Sequence, residues 1–265
     1  MSNWIALAKK NVFLIDLDGV VYKGSKPVDG AIEAIQRLRE AGKKIIYLTN
    51  NSARSPLSIR NKLEGMGIAC AENELLTSAE VACQAVKKDS LDGQKGVYVV
   101  GSSGLRDLVV NHGLKLATHD QCGAVLVGLD LELSYETISN ALQAITNGAL
   151  LIACNSDANY PSDKGALLPG CGAMLGAIEG AAGIRCNYLF GKPNKLMLQV
   201  ALERIGGVLN ECVVIGDTLE SDILMANNAN AESIYIDNDQ WHHDSDIVRS
   251  FSSKSLIAAV NSMGI

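Results

Sequence analysis

Short apolar runs alternate along this chain with segments whose apolar residues recur at helical spacing. The first run, residues 12–15, is followed by a helical pattern carrying Ile32, Ile35 and Leu38, and the next run spans residues 45–48. A short apolar run beside a turn signal is typical of a strand buried on both faces. The alternation of such strands with amphipathic helices predicts parallel strands joined by right-handed crossovers.

The alternation continues past residue 92 and predicts an inserted domain. Strand-like runs recur at residues 97–100, 124–127 and 150–153, and the run at 212–215 resumes the first series. At 265 residues the chain is long for a single hydrophobic core, so two domains are expected. The predicted fold class is α/β, a parallel sheet core with an inserted α/β cap. The predicted boundaries are residues 1–78 and 187–265 for the core and residues 79–186 for the cap.

Charge and composition argue against several classes of partner. The net charge is −6 and is spread along the chain, which disfavours a general nucleic-acid binder or a protein held on a membrane surface. No apolar stretch has the length of a membrane span, and residues 1–10 lack the pattern of a signal peptide, so we expect a cytoplasmic protein. The seven cysteines are an odd number without a CxxC pair, which indicates buried free thiols.

Polar side chains follow four of the predicted strands. Because parallel strands present their carboxyl ends along one edge of a sheet, these side chains can converge although they are far apart in sequence. A DxDG segment alone is equally well an ordinary solvated acidic turn, so the interpretation depends on the other strand ends. The four sets are Asp16 with Asp18, Thr49 with Asn50, Lys192, and Asp217 with Asp222.

Taken together, these groups favour phosphoryl transfer. Neighbouring carboxylates repel one another, so such a cluster usually holds a divalent cation, and hard oxygen ligands favour Mg²⁺. A lysine and a hydroxyl group suit phosphate oxygens, although a solvated surface position is the commonest state of a lysine such as Lys192. An aspartate can then be the covalent nucleophile.

The same residues carry a family resemblance. The segments DLDGV at 16–20, TNN at 49–51, GKP at 191–193 and GDTLESDI at 216–223 resemble the four motifs of the haloacid dehalogenase (HAD) superfamily, in order and at suitable distances. The large insertion, with CNSD and LPGCGAM inside it, resembles the NagD-like subclass IIA, which is p-nitrophenyl phosphatase-like. The resemblance implies a Rossmann-like core and a Mg²⁺-dependent phosphatase acting on small-molecule phosphate esters.

The resemblance also implies a role for each motif residue. Asp16 would attack phosphorus and form an aspartyl-phosphate, and Asp18 would protonate the departing oxygen and then activate the hydrolytic water. The remaining implied roles are phosphate binding by Thr49, Asn50 and Lys192, metal binding by the Asp16 carboxylate, the Asp18 backbone carbonyl and Asp217, and support of the metal ligands by Asp222. Two departures from the family pattern, at Ser221 and after Asp237, do not touch this chemistry.

Other polar residues have weaker functional interpretations. Asn155 and Asp157, with Gly170–Gly172, are candidates for contact with the leaving group, and a plain structural turn is about as good an explanation. His242 and His243, together with the aspartates that follow them at 244 and 246, are expected to form a polar loop rather than a metal site, because their spacing is irregular.

Alternative functions stay open at this stage. A non-catalytic phospholigand-binding or partner-binding module would be expected to lack Asp16 or Asp18, and both are present. A phosphonatase would be expected to place a reactive lysine in the cap, where lysines are sparse, and a mutase would place other groups there. The sequence leaves the particular substrate undecided, and it leaves the oligomeric state open, a homodimer included.

Overall fold

The computed structural model describes residues 4–89, 91, 93–162, 166–237 and 247–265. The polar segment around His242 and His243 lies outside these described residues. Within the described residues, no helix combines the length and apolar character needed to cross a membrane.

The described residues contain fourteen strands, most of them short. They are β1 (Val12–Asp16), β2 (Tyr22–Lys23), β3 (Lys26–Pro27), β4 (Lys44–Thr49), β5 (Leu75–Thr77), β6 (Val97–Val100), β7 (Ala124–Val127), β8 (Leu150–Ala153), β9 (Asn159–Pro161), β10 (Leu167–Pro169), β11 (Tyr188–Leu189), β12 (Cys212–Gly216), β13 (Glu232–Ile236) and β14 (Phe251–Ser253).

Ten α-helices are found in the same residues. They are α1 (Trp4–Ala8), α2 (Ala31–Glu40), α3 (Pro56–Gly65), α4 (Ser78–Lys88), α5 (Ser103–Asn111), α6 (Tyr135–Thr146), α7 (Cys171–Ala182), α8 (Lys195–Ile205), α9 (Leu224–Ala229) and α10 (Leu256–Met263). Two 3₁₀ turns, Glu72–Glu74 and Leu209–Glu211, and one π-helical turn, Leu219–Ile223, complete the helical structure.

The chain divides into two compact units. The first, here called the core unit, comprises Met1–Thr49, Arg60–Leu76 and Lys192–Ile265. The second, here called the inserted unit, comprises Asn50–Ile59 and Thr77–Gly191. Both units are α/β, which confirms the predicted fold class.

The core unit is built on a six-stranded parallel sheet with the order β14-β13-β12-β1-β4-β5. The central strand β1 pairs with β12 on one side and with β4 on the other, so that Val12 lies beside both Cys212 and Lys44. The five residues of β1 and the five of β12 are all buried, as expected for strands covered on both faces. The strand order reverses between β1 and β12, which is the position where open parallel sheets bind ligands.

The inserted unit has its own four-stranded sheet, with the order β11-β8-β7-β6 and parallel pairing throughout. Two of its helices begin at a serine N-cap. The Ser102 hydroxyl accepts from the backbone N–H of Leu105 at the start of α5, and Ser134 accepts from Thr137 at the start of α6. Helices α6 and α7 pack with this sheet around a core of Val, Leu, Ile and Ala side chains.

All seven cysteines have free thiols, as predicted. Cys122 and Cys186 are only half-buried, so the expectation of burial is wrong for these two. Burial raises the pKa of the five enclosed thiols, for example to about 12 for Cys83, which keeps them protonated and unreactive near neutral pH.

The structure corrects two expectations about local structure. The prolines at 161 and 169 predict a long loop, but the structure has the antiparallel pair β9-β10 in this segment. The strand that precedes Lys192 was expected to belong to the core sheet, but β11 is the edge strand of the inserted unit's sheet. Strand β11 has only two residues, so it carried no sequence signal of which sheet it joins.

Candidate active site

Three of the predicted site residues stand at the carboxyl ends of core-sheet strands. Asp16 is the last residue of β1, Thr49 is the last residue of β4, and Asp217 directly follows β12. Strands β1 and β12 flank the point at which the strand order reverses. The fold therefore brings Asp16 and Asp217, two hundred residues apart in sequence, to neighbouring strand ends.

Four buried charged side chains of the core unit form what we call the carboxylate cluster: Asp16, Asp217, Asp222 and Lys192. The three aspartates each place a carboxylate oxygen within 4.8 Å of the others. Lys192 Nζ donates to Asp16 Oδ1 at 2.5 Å and to Asp222 Oδ1 at 2.6 Å. None of these four residues is more than 6% exposed, so solvent screens their charges poorly.

The charges of the carboxylate cluster do not balance. With all four groups ionised, three carboxylates and one ammonium leave two negative charges uncompensated. Burial raises the pKa of Asp16 well above its usual range, and repulsion from Asp222 and Asp217 adds to the increase against the opposing attraction of Lys192. Burial alone would lower the pKa of Lys192, but its ion pairs with Asp16 and Asp222 outweigh burial and raise it.

Two glycines allow the carboxylates to approach the backbone. Gly19 has a φ of +92°, and a Cβ placed there would lie 1.9 Å from Asp217 Oδ2. A Cβ at Gly216 would lie 2.2 Å from the Cβ of Asp222. Any side chain at either position would displace a cluster carboxylate, so both positions require glycine.

The π-helical turn Leu219–Ile223 holds Asp222 against the end of β12. The backbone N–H of Asp222 donates to the Thr218 carbonyl at 2.9 Å, and the Thr218 N–H donates to Asp222 Oδ2 at 3.3 Å. With one oxygen engaged by this backbone group and the other by Lys192, the Asp222 carboxylate is fixed in orientation.

Asp18 differs from the other predicted acids because its side chain is exposed. The hydroxyl of the buried Tyr22 donates to Asp18 Oδ2 at 3.4 Å. Asp18 is thus two residues from Asp16 in sequence, and its side chain is accessible to solvent.

Asn50, Asn155 and Asp157 form a separate group in the inserted unit, here called the amide ring. Asn155 Nδ2 donates to the Asn50 carbonyl at 2.6 Å, Asn50 Nδ2 donates to Asp157 Oδ1 at 3.0 Å, and the Asp157 N–H donates to Asn155 Oδ1 at 3.1 Å. The Ser78 hydroxyl adds a second bond to the Asn50 carbonyl at 3.0 Å. The structure therefore joins the predicted phosphate-binding Asn50 to both predicted cap residues.

The amide ring lies against glycines that admit no side chain. A Cβ at Gly191 would lie 2.7 Å from Asn50 Oδ1 and 2.8 Å from the Asn155 Cβ, and one at Gly170 would lie 2.2 Å from the Asp157 carbonyl oxygen. The predicted candidates Gly170–Gly172 thus act here as close backbone neighbours of the turn that carries Asp157.

The carboxylate cluster fits a divalent cation. Its donors are hard carboxylate oxygens, and its two uncompensated negative charges equal the charge that such an ion would bring. Across the described ranges, no second group of three or more His, Cys, Asp or Glu side chains has comparable geometry.

Comparisons with known proteins agree with this geometry. A haloacid dehalogenase-like hydrolase model matches residues 13–115, and a second HAD-hydrolase-like model matches residues 189–251. The sugar-phosphatase AraL of Bacillus subtilis is 37% identical over 213 residues, which cover 80% of this chain and 77% of that protein. The chain belongs to the haloacid dehalogenase-like hydrolase family.

Solved structures of the HAD-like hydrolase fold match this chain over nearly its whole length. The p-nitrophenyl phosphatase from Archaeoglobus fulgidus has a TM-score of 0.89 and 26% identity, covering 96% of this chain and 99% of that one. Glycerol phosphate phosphatase Rv1692 from Mycobacterium tuberculosis, solved in complex with magnesium, has a TM-score of 0.84 and 28% identity, covering 96% and 77%. The predicted resemblance to NagD-like and p-nitrophenyl phosphatases is confirmed.

Sequence reasoning missed some members of this HAD site. Tyr22 and Ser78, which bond to Asp18 and Asn50, and Gly216, which makes room for Asp222, received no functional interpretation. Tyr22 lies two residues after the first motif, and Gly216 opens the last motif, so proximity to a motif was the available signal.

Proposed function

We propose that this protein is a Mg²⁺-dependent phosphatase that hydrolyses small-molecule phosphate monoesters through an aspartyl-phosphate on Asp16. The observation that carries the proposal is the buried carboxylate cluster at the point where the core strand order reverses. At the level of reaction class the chain is a phosphoric monoester hydrolase, since the relatives named above are phosphatases.

In the first half of the reaction, Asp16 acts as the nucleophile. One carboxylate oxygen of Asp16 forms a bond to phosphorus while the bond from phosphorus to the ester oxygen breaks. Asp18 gives its proton to that departing oxygen, so the alcohol leaves in neutral form. Asp16 suits the first role because Lys192 fixes its carboxylate, and Asp18 suits the second because its side chain reaches solvent.

The second half of the reaction restores the enzyme. Asp18, now a carboxylate, takes a proton from water, and the resulting hydroxide attacks phosphorus. The bond between phosphorus and Asp16 breaks, inorganic phosphate leaves, and Asp18 again carries the proton needed for the next turnover. One residue thus moves the proton in both directions.

Two cations would offset the charge of the transferring phosphoryl group. Lys192 is buried and held by two carboxylates, so its ammonium is fixed in place rather than mobile. Mg²⁺ would be held by the Asp16 and Asp217 carboxylates and the Asp18 backbone carbonyl, with Asp222 supporting them, and it would supply charge neutralisation. Thr49 at the end of β4 offers a hydroxyl to a phosphate oxygen.

Asn50 is assigned a more limited part than its motif implies. Its side-chain amide donates to Asp157, and its carbonyl accepts from Asn155 and Ser78. We propose that these bonds fix the backbone directly after Thr49, and that Asn50 assists phosphate binding from that position. Contact of Asn155 and Asp157 with the leaving group remains a prediction, and so do the predicted boundaries of the cap domain.

Phosphorylated sugars are the proposed substrate class to test first. The support is the sugar-phosphatase AraL, which is 37% identical to this chain. Other small phosphate esters, such as phosphoglycolate, nucleoside monophosphates and pyridoxal phosphate, complete the proposed panel.

Hydrolysis of p-nitrophenyl phosphate by the purified protein tests the proposal. We expect turnover with Mg²⁺, loss of turnover with excess EDTA, and recovery when Mg²⁺ is restored. A panel of phosphate esters ranked by kcat/KM then identifies the substrate. Absence of turnover with Mg²⁺ across the whole panel would overturn the proposed function and favour a binding module.

A further inference from the structure

We infer that Tyr22, backed by Lys62, is a positioning residue that holds the Asp18 carboxylate in the orientation required for proton transfer. The inference deepens the proposed function and rests on the acid/base role given there to Asp18. It concerns two side chains to which the family motifs assigned no part.

The backbone between Asp18 and Tyr22 is closed into a tight loop. The Gly19 N–H donates to the Tyr22 carbonyl at 2.7 Å, and the Tyr22 N–H donates back to the Leu17 carbonyl at 3.1 Å. Asp18 and Tyr22 also form an isolated parallel bridge. These bonds fix the distance between the two Cα atoms, so the Tyr22 ring cannot move far from the Asp18 side chain.

The two side chains differ in exposure, so the buried ring of Tyr22 can orient the exposed carboxylate of Asp18. Asp18 is exposed, whereas Tyr22 is only 2% exposed and starts strand β2. The Tyr22 hydroxyl reaches Asp18 Oδ2 at 3.4 Å, longer than the roughly 2.7–2.8 Å typical of such bonds. Bonds of catalytic groups are often long in ligand-free proteins and shorten in the substrate complex.

Lys62 lies over the face of the Tyr22 ring and restrains it. Its Nζ, on helix α3, lies 3.4 Å from the centroid of the Tyr22 ring. A cation over the ring is attracted by its π electrons, which holds the ring in place. The same positive charge draws electron density from the phenol, which makes its hydroxyl a stronger hydrogen-bond donor.

This arrangement matters for catalysis because an acid/base group must face the reacting oxygen. An exposed carboxylate with no donor would sample several rotamers, and few of them place its proton correctly. A donor on Oδ2 restrains the plane of the Asp18 carboxylate, which sets the direction in which it can deliver a proton. Removal of the Tyr22 hydroxyl should therefore impair protonation of the leaving group more than nucleophilic attack.

Tyr22→Phe tests the inference because it removes the hydroxyl and keeps the ring beneath Lys62. We compare kcat/KM for p-nitrophenyl phosphate, whose leaving group needs little protonation, with kcat/KM for an alkyl ester such as glycerol phosphate. We expect a loss of about tenfold for the alkyl ester and a much smaller loss for the aryl ester. Lys62→Met, at a half-buried helix position, should shift the ratio in the same direction by a smaller factor.

Two further variants separate the possible failures. Tyr47→Phe removes another buried phenol of the core unit, whose charged neighbours are Arg39 and Glu74, and should leave the alkyl-to-aryl ratio unchanged. Asp18→Asn should reduce both activities strongly, and near-normal activity in that variant would overturn the proposed role of Asp18 itself.

A Tyr22→Phe variant with the wild-type ratio, alongside an impaired Asp18→Asn variant, would overturn only the present inference. If Tyr22→Phe fails to fold, Lys62→Met decides alone, and a wild-type ratio in that variant counts against the inference.

Discussion

The carboxylate cluster and the amide ring are held together in opposite ways. The carboxylate cluster of the core unit contains three carboxylates and one ammonium, whereas the amide ring of the inserted unit contains two neutral amides and one carboxylate. Both follow the ends of buried strands. The carboxylate cluster leaves two negative charges uncompensated. In the amide ring, the three residues are joined in a cyclic set of hydrogen bonds.

This difference separates a group that needs a cation to balance its charge from one that is held by hydrogen bonds within the chain. A buried excess of negative charge is costly unless a cation joins it, so the carboxylate cluster is arranged for an ion or a phosphoryl group rather than for the stability of the chain alone. A polar group whose donors and acceptors are satisfied stabilises the fold without a ligand. We therefore expect activity and metal response to belong to the first group, and ligand-independent stability to belong to the second.

The largest expected effect is the loss of activity in Asp16→Asn. An amide cannot form the acyl phosphate, so kcat should fall by at least about a thousandfold. The variant should stay folded, because the change removes one excess negative charge and nearly preserves the shape of the side chain. Steady-state hydrolysis of p-nitrophenyl phosphate measures the effect, with the exposed Asp107→Asn as a control that should keep its activity. Near-normal turnover in Asp16→Asn would remove Asp16 from the nucleophile role.

Lys192→Met should destabilise the core unit most among the cluster variants. Removal of the ammonium leaves Asp16 and Asp222 buried without their cation, which should reduce the free energy of unfolding by about 3 to 5 kcal/mol. Urea denaturation measures the loss. Added Mg²⁺ should restore part of it in this variant, and the account fails here if the variant is as stable as wild type without metal.

Magnesium binding should stabilise the wild-type protein by a smaller amount. At a concentration about one hundred times its Kd, the ion should add roughly 2.7 kcal/mol and raise the melting temperature, since the unfolded chain holds no such site. Differential scanning fluorimetry with and without EDTA measures the shift. Asp217→Asn should reduce it, and an equal shift in that variant would place the metal elsewhere.

Asn155→Ala should have the smallest of these effects and should not depend on metal. The substitution removes the 2.6 Å bond to the Asn50 carbonyl, which keeps its bond from Ser78, and the 3.1 Å bond from the Asp157 N–H, so a loss of about 1 to 2 kcal/mol is expected. The same denaturation measurement, made with Mg²⁺ and with EDTA, should give equal losses. If the loss of unfolding free energy disappeared with Mg²⁺, the amide ring would also depend on metal, which would contradict the proposed difference between the two groups.

The longer strands and the polar residues that follow them were predictable from the sequence, whereas the short strands were not. Strands β1, β4 and β12 are continuous apolar runs, so the pattern located them together with the polar residues after them. Strands such as β5, β10 and β14 have three residues each and exist because a neighbouring strand pairs with them. A run of three residues carries no periodicity, so these strands could not be recognised.

The candidate site shows the same limit. Asp16 and Asp217 could be predicted because the topology of a parallel sheet brings strand ends together. The hydrogen bond from Tyr22 to Asp18 depends on the conformation of the loop between them, and the contact of Lys62 with Tyr22 depends on where helix α3 packs. The link from Asn155 to Asn50 joins residues 105 positions apart through side chains alone. Such contacts follow from tertiary packing, which no local pattern encodes.

The central claim, that Asp16 carries the phosphoryl group, is tested most directly by trapping the intermediate. Turnover of p-nitrophenyl phosphate with Mg²⁺ is quenched and treated with borohydride, which reduces an acyl phosphate to an alcohol and converts the modified aspartate to homoserine. Tandem mass spectrometry should locate homoserine at position 16 in the sample with substrate and not in the sample without it. Conversion at another carboxylate, or sustained turnover with no conversion at position 16, would contradict the account.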